Sequence, residues 1–359
     1  MDDQNRNLLL AFALSLLVLV GWMYMFPPPE VIQAPRDQVA ELPVASADAP
    51  DTRLEDVPEA AALPRIVIDT PRLGGTINPI GGRVDDLVLL DYRETTEPGS
   101  DNVHLLIPEG ENNAFYALHG WRPGRELSWD DVPGANTPWE LVEGETLRIG
   151  EPVTLGWTNE TGLRFTKRFV IDDNFMFTVT QSVENTGEGT ARLAPYGLIS
   201  RHGEPSDLEN FFISHEGFIM VADGRLSEDK YRAIRDLRVH EREATNARVT
   251  EVGGNGWLAI ADKYWMAAIV PMPGQDFTAV QRYIPARDVY QARADLPTLT
   301  VGPGEREEVA TMMFAGAKEW AVLRAYEREI GIERFTDAID WGWFFFLTRP
   351  IFATLYFIE

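Results

Sequence analysis

Apolar and polar residues alternate with a period of two through much of this chain. The clearest case is "LRFTKRFVI", the triplet Asp172-Asp173-Asn174, then "FMFTVTQSVEN". In the second run Phe175, Phe177, Val179 and Val183 share one face, with Thr178, Thr180 and Ser182 on the other. This pattern predicts a hairpin of half-buried antiparallel strands. "NTGEGT" then turns the chain. "RIVIDT" and "RVDDLVLLDY" precede it, and "WLAIAD", "YWMAAIVP", "DFTAVQRYI", "DVYQARADL" and "REEVATMMFAG" follow, all short runs bounded by turn residues. Strands do not alternate with helices, so the expected class is all-β, a large antiparallel sandwich over residues 65–316. No internal repeat is evident.

The period changes to that of a helix in "AKEWAVLRAYEREI", Ala317 to Ile330. Trp320, Leu323, Tyr326 and Ile330 form one apolar stripe, and Gly331 is a C-terminal cap. The stripe is expected to pack on the sheet. Arg225 to Arg248 is dense in charge and reads as a solvated face or loop, with a short helix around Tyr231, Ile234 and Leu237 as the alternative.

Both ends break the alternation with apolar runs. Leu8 to Phe26, "LLLAFALSLLVLVGWMYMF", is 19 residues without a charge. As a helix it reaches about 28 Å, close to the hydrocarbon thickness of a bilayer. The run from Leu8 through Leu17 and on to Phe26 is longer than a cleaved signal peptide uses, and Trp22, Tyr24 and Phe26 cluster at its far end, as at a membrane interface. A transmembrane signal anchor is expected, with residues 1–7 cytoplasmic and the body exported. Residues 27–64 hold eight prolines and few large apolar residues, which suits an extended tether. Near the other end, Trp341 to Ile358 carries one charge, Arg349. Pro350 interrupts it, and Trp341, Trp343, Phe345, Phe352 and Tyr356 suit an interface better than a bilayer centre. An interfacial helix over 337–359 is preferred to a span.

Composition excludes several functions. Of 359 residues, 56 are acidic and 32 basic, a net charge of −24. That surface repels phosphate backbones, so nucleic-acid binding is not expected. There is no cysteine, hence no disulfide, thiol nucleophile or Cys-ligated zinc. The five histidines, His104, His119, His202, His215 and His240, form no H-x-x-x-H pair. The glycines of "LGGTINPIGGRV" lie between strands, where tight turns explain them better than a phosphate loop. No catalytic, cofactor or metal site is expected. One alternative stays open, a membrane-anchored carbohydrate-binding or carbohydrate-active sandwich using an aromatic cleft with one His and one carboxylate from among His202, His215 and Glu216.

The order of these parts, with "MDDQNRNLLLAFALSLLVLVGW" first, "GWLAIADKYWMAAIVP" late and "DWGWFFFLTRPIFATLYFI" last, resembles the N-terminal portion of the YidC family of bacterial inner-membrane protein insertases. The resemblance runs the length of the chain. It implies a periplasmic β-supersandwich ending in helices and a location in the bacterial inner membrane. It also implies non-enzymatic assistance to the insertion and folding of nascent membrane proteins, alone or with SecYEG and SecDF. The insertase groove would then lie beyond Glu359, and the helix between sandwich and membrane segment (317–336) would carry partner contacts through Lys318, Trp320 and Arg324.

Overall fold

The computed structural model describes residues 63–205, 208, 215–342, 348 and 351. The anchor residues Leu8, Leu17, Trp22, Tyr24 and Phe26 lie outside the described residues, as do Trp343, Phe345, Arg349, Pro350, Phe352 and Tyr356. Among the described residues no helix is long and apolar enough to cross a membrane.

The described strands form two sheets, of twelve and nine strands. The first follows the path β14 (Val239–His240), β15 (Thr245–Val252), β18 (Phe277–Ile284), β19 (Val289–Asp295), β11 (Ala191–His202), β5 (Phe115–Pro123), β3 (Arg83–Arg93), β2 (Leu73–Asn78), β1 (Ile66–Asp69) and β7 (Thr146–Leu147). β20 (Leu299–Val301) joins it beside β11, and β4 (Asn102–Leu106) beside β3. The second follows β13 (Arg225–Asp229), β12 (Gly217–Ala222), β16 (Gly256–Ala261), β17 (Trp265–Pro271), β21 (Arg306–Ala317), β10 (Met176–Asn185), β9 (Leu163–Ile171), β8 (Val153–Thr158) and β6 (Glu140–Glu143). Pairing is antiparallel except between β1 and β7. The expected all-β antiparallel sandwich is what forms.

The hairpin read from the sequence is β9–β10, paired from Phe177–Ile171 to Asn185–Leu163. Phe175, Phe177, Val179 and Val183 are buried, so period-two alternation here reports one covered face. β16 and β17 behave differently. From Trp257 to Ala261 and from Met266 to Pro271 every residue is buried, because helices cover the outer face of the second sheet. In the cross-strand row Ala259–Ala268–Phe314 small residues flank one aromatic ring, and that ring meets Tyr326 and Phe335 from the helical layer.

The charge-rich stretch is more ordered than a solvated loop. It contains β13, helix α1 (Tyr231–Arg235) and β14, with Tyr231 and Ile234 buried. The apolar residues of that stretch were too sparse to show a period, yet each ring has a partner: Tyr231 packs edge-on against Tyr290 at 5.0 Å and Phe218 at 6.1 Å. The second helix, α2, covers Trp320–Glu329, shorter than the expected 317–330. Ala317 is still strand, paired with Trp265, and Lys318 and Glu319 turn the chain. Gly331, at φ +85°, follows the last helical turn as expected, and its N–H bonds the Tyr326 carbonyl at 3.2 Å.

Two buried charge arrangements were invisible to the pattern. On the polar face of β18 and β19, Arg293 donates to both oxygens of Asp295 (2.7 and 3.0 Å) and to Glu243 (2.8 Å). Arg282 donates to Glu243 (3.0 Å) and Gln291 (2.7 Å), and Arg122 to Asp295 (2.7 Å). Burial alone would raise the Asp295 carboxyl, but Arg293 and Arg122 hold it down to about 2. Between the sheets, Lys167 occupies a core-facing position of β9 between Phe165 and Phe169. Its ammonium donates to the carbonyls of Gly81 (2.8 Å) and Gly82 (3.4 Å) and lies 4.8 Å from the Trp139 ring centre. The glycine-rich turn is therefore tight for a reason: a Cβ on Gly82, at φ +60°, would come within 2.9 Å of that nitrogen. Burial, and then repulsion from Arg83, push the Lys167 amine down to about 7.

Candidate functional site

The last strand, α2 and the 3-10 helix Phe335–Ala338 form a clasp on the outer face of the second sheet, from which the chain leads to the apolar segment at 341–358. Its centre is aromatic. Phe335 meets Trp257 at 5.2 Å and Phe314 at 5.4 Å, both edge-on, and Tyr326 at 6.2 Å. Rings in this arrangement add stabilisation beyond their burial.

Polar contacts close the edges. The Tyr326 hydroxyl donates to Asp172 at 2.6 Å and accepts from the Phe175 N–H at 3.3 Å. This ties α2 to the β9–β10 turn. Burial, then the Asp172 charge, push the Tyr326 phenol up, and burial raises Asp172 against its hydrogen bonds. At the start of α2, Glu319 accepts from Tyr92 at 2.6 Å and pairs with Arg72. Arg72 also donates to Asn174 at 2.9 Å and lies 4.2 Å over the Phe175 ring. At the far end, Trp257 donates to the Glu333 carbonyl at 3.0 Å, Arg334 to Asp337 at 2.6 Å and Thr336 to Glu327 at 2.9 Å. Trp341 donates to the Thr336 carbonyl at 3.2 Å, so the first residue of the apolar segment is already fixed to the clasp.

Of the three residues singled out for partner contact, Trp320 and Arg324 lie together on α2, and Lys318 lies just before it. The Arg324 guanidinium stacks 4.5 Å over the Trp320 ring, a cation–π contact. Trp320 is half-buried, whereas Val322, Leu323 and Tyr326 make the inward face of α2. Lys318 precedes the helix, and its N–H bonds the Tyr264 carbonyl at 2.8 Å. Burial pushes its side-chain amine down to about 8, against the pull of Asp262, Asp340, Glu228 and Glu216. The sequence reading missed the polar latch of Arg72, Tyr92, Asp172 and Glu319. Their contacts join residues 102 to 247 positions apart, and no local spacing marks them; the Arg72–Glu319 separation alone is 247 residues.

The histidines do not assemble. His202 ends β11 in the first sheet, 3.5 Å from the Tyr116 hydroxyl, and its charged neighbours are Glu109, Arg287, Arg83 and Asp288. His215 and Glu216 precede β12 in the second sheet, and His215 bonds the Phe218 carbonyl at 3.0 Å. The charged neighbours of His215 are Lys318, Asp340 and Asp229, so His202 stands apart from His215 and Glu216. Among the described residues no group of three His, Asp or Glu side chains is placed to hold a metal ion.

Comparison with known proteins bears on this architecture. Residues 65–354 match the model of the YidC periplasmic domain. The chain is 47% identical to a membrane protein insertase YidC of Cereibacter sphaeroides, over 100% of this chain and 60% of that protein. It is 49% identical to that of Dinoroseobacter shibae, over 99% of this chain and 61% of that protein. The chain thus spans about 60% of the length of the curated relatives it matches. Among solved structures, a galactose mutarotase-like protein from Lactobacillus casei aligns with TM-score 0.47 and 11% identity, over 70% of this chain and 100% of that one, a likeness too low to bear on activity. The strands, the helical clasp and the apolar segment as far as residue 354 fall inside the matched region, and the chain belongs to the YidC family, with the YidC periplasmic domain as its folded body.

Proposed function

We propose that this chain is the membrane-anchored, periplasmic portion of an insertase that assists the insertion and folding of bacterial inner-membrane proteins, without a covalent reaction of its own. The observation that carries this reading is the match along the whole chain to proteins named membrane protein insertase. Residues 8–26 anchor it with the N-terminus cytoplasmic, residues 27–64 tether the sandwich, and residues 337–359 lie along the membrane surface. The clasp gives the sandwich a mechanical role, because it fixes the direction in which the chain meets the bilayer. The test is complementation. The full-length protein containing this chain, expressed in bacteria depleted of their own insertase, restores insertion of a single-span reporter. Failure to restore it, with the protein present in the membrane, overturns the reading.

Within that reading the outer edge of α2 docks a protein partner, SecDF, with SecYEG beyond it. Trp320 supplies a half-buried aromatic surface and Arg324 a charge held over it, the composition of an interface anchor. Arg324→Glu with Lys318→Glu should sharply reduce co-purification of SecDF with the full-length protein. Unchanged co-purification sinks the assignment.

A further inference from the structure

The motif "GWLAIADKYWMAAIVP" contains a part that neither packing nor the proposed function uses. Its apolar flanks are β16 and β17, wholly buried apart from their first residues. Its centre, Asp262-Lys263-Tyr264, is the turn between them, and Trp265 opens β17. Tyr264 is 59% exposed and is the only exposed aromatic among the described residues. It is also held in place. Its carbonyl accepts the Lys318 N–H at 2.8 Å, and its ring packs edge-on against Trp265 at 5.9 Å. Trp265 in turn packs edge-on against Tyr92 at 5.0 Å. The Lys263 ammonium lies 5.3 Å from the Tyr264 ring centre. The result is a turn whose one exposed ring is backed by two half-buried rings on β17 and β3, with a cation beside it.

Place and charge identify what this tip meets. The chain has four lysines against a net charge of −24, and two of them, Lys263 and Lys318, are at this turn. Lys318 is bracketed by Asp262 of the turn and Asp340, the residue before the apolar segment. The tip therefore lies on the side from which the chain runs into 341–358. Tyrosine and tryptophan with lysine are the side chains that settle at the boundary of water and hydrocarbon, their rings among the acyl ends and their cations among phosphates. An acidic body is repelled by an anionic surface, and the Lys263 ammonium beside the Tyr264 ring favours this face over the rest of that body.

We propose that the Lys263-Tyr264-Trp265 segment is a membrane-docking tip that seats Tyr264 in the headgroup region of a bilayer containing anionic phospholipid. This inference rests on the insertase reading and adds to it a second membrane contact, on the folded domain itself. The docked tip and the segment at 341–358 together fix the tilt of the sandwich through two separate contacts.

The test uses the absence of cysteine. The full chain, carrying a nitroxide on Tyr264→Cys or on Val142→Cys, is reconstituted in vesicles of phosphatidylethanolamine with phosphatidylglycerol, and in phosphatidylcholine vesicles. Val142 is 58% exposed on β6, at the far edge of the same sheet. Both labels replace exposed side chains, so folding is not at stake. Collision with lipid-soluble oxygen relative to a water-soluble nickel chelate should be several-fold higher at 264 than at 142. It should fall in phosphatidylcholine and fall again when Lys263→Glu is added. Equal collision ratios at 264 and 142 overturn the proposal. So does a label at 264 that is shielded from both reagents in native membranes, since a protein then covers the tip. Reporter insertion is measured with Tyr264→Cys and Lys263→Glu placed in the full-length protein that contains this chain: normal insertion with no lipid contact at 264 removes the docking tip and leaves the insertase reading intact, whereas lipid contact with no insertion does the reverse.

Discussion

The sandwich buries charge in two ways, and the contrast is instructive. On the polar face of β18 and β19, Arg282 and Arg293 are buried against Glu243 and Asp295, and each charge has an opposite within 3.0 Å. Between the sheets, Lys167 is buried just as deeply but has two carbonyls and a ring in place of a carboxylate. Pairing keeps the first set ionised, with Asp295 held at about 2. Lack of a counterion leaves Lys167 near neutrality, at about 7. Burial alone does not determine whether a group titrates. What determines it is whether the desolvated charge meets another.

The largest effect should follow from breaking the paired set. Asp295→Ala leaves Arg293 and Arg122 facing an empty position and should cost about 3–5 kcal/mol in urea unfolding. A cost near that of an exposed pair would show that the network is not desolvated in solution. Next comes the unpaired lysine. Its folded pKa is depressed, so below pH 7 both states carry the proton and the burial penalty is complete. As pH rises from 7 toward 10.5 the unfolded chain keeps the proton that the folded one has lost, and stability increases, by roughly 2 kcal/mol between pH 7 and 9. Lys167→Met should abolish that slope. His119, which burial and then Lys167 push down to about 3, follows the same logic lower on the scale. Its contribution is complete above pH 6.5 and is lost as pH falls toward 3. A smaller effect tests an intermediate case, Asp172 buried against a neutral hydroxyl. Tyr326→Phe should cost about 1–2 kcal/mol, since a charged acceptor loses its donor. The smallest is at the surface, where Arg148→Ala breaks its pairs with Asp69 and Glu151 and should leave the unfolding midpoint unchanged.

Much of the fold could be read from the sequence because one-sided burial writes itself as alternation. β9, β10 and the inward stripe of α2 show this directly. Where both faces are covered, as in β16 and β17, the sequence becomes a continuous apolar run whose strand character rests on length and on flanking turn residues. The stretch around Tyr231 escaped because its two buried residues are too few to show a period, and the α2 boundary was missed because Ala317 suits a helix as well as it suits the end of β21. Lys167 could not be found by pattern at all, since it breaks the alternation that located its own strand. The candidate site was half visible. Lys318, Trp320 and Arg324 follow from one helical segment, but the latch from Arg72 and Tyr92 to Glu319 joins residues more than 200 positions apart, by 247 and 227.

The two ends of the folded body belong to different sheets. β1 opens the first, held by four residue pairs to β2 and two to β7, whereas β21 and the clasp close the second. A load applied between residue 65 and residue 340 therefore passes from one sheet to the other, and the apolar layer between the sheets, as well as their hydrogen bonds, carries it.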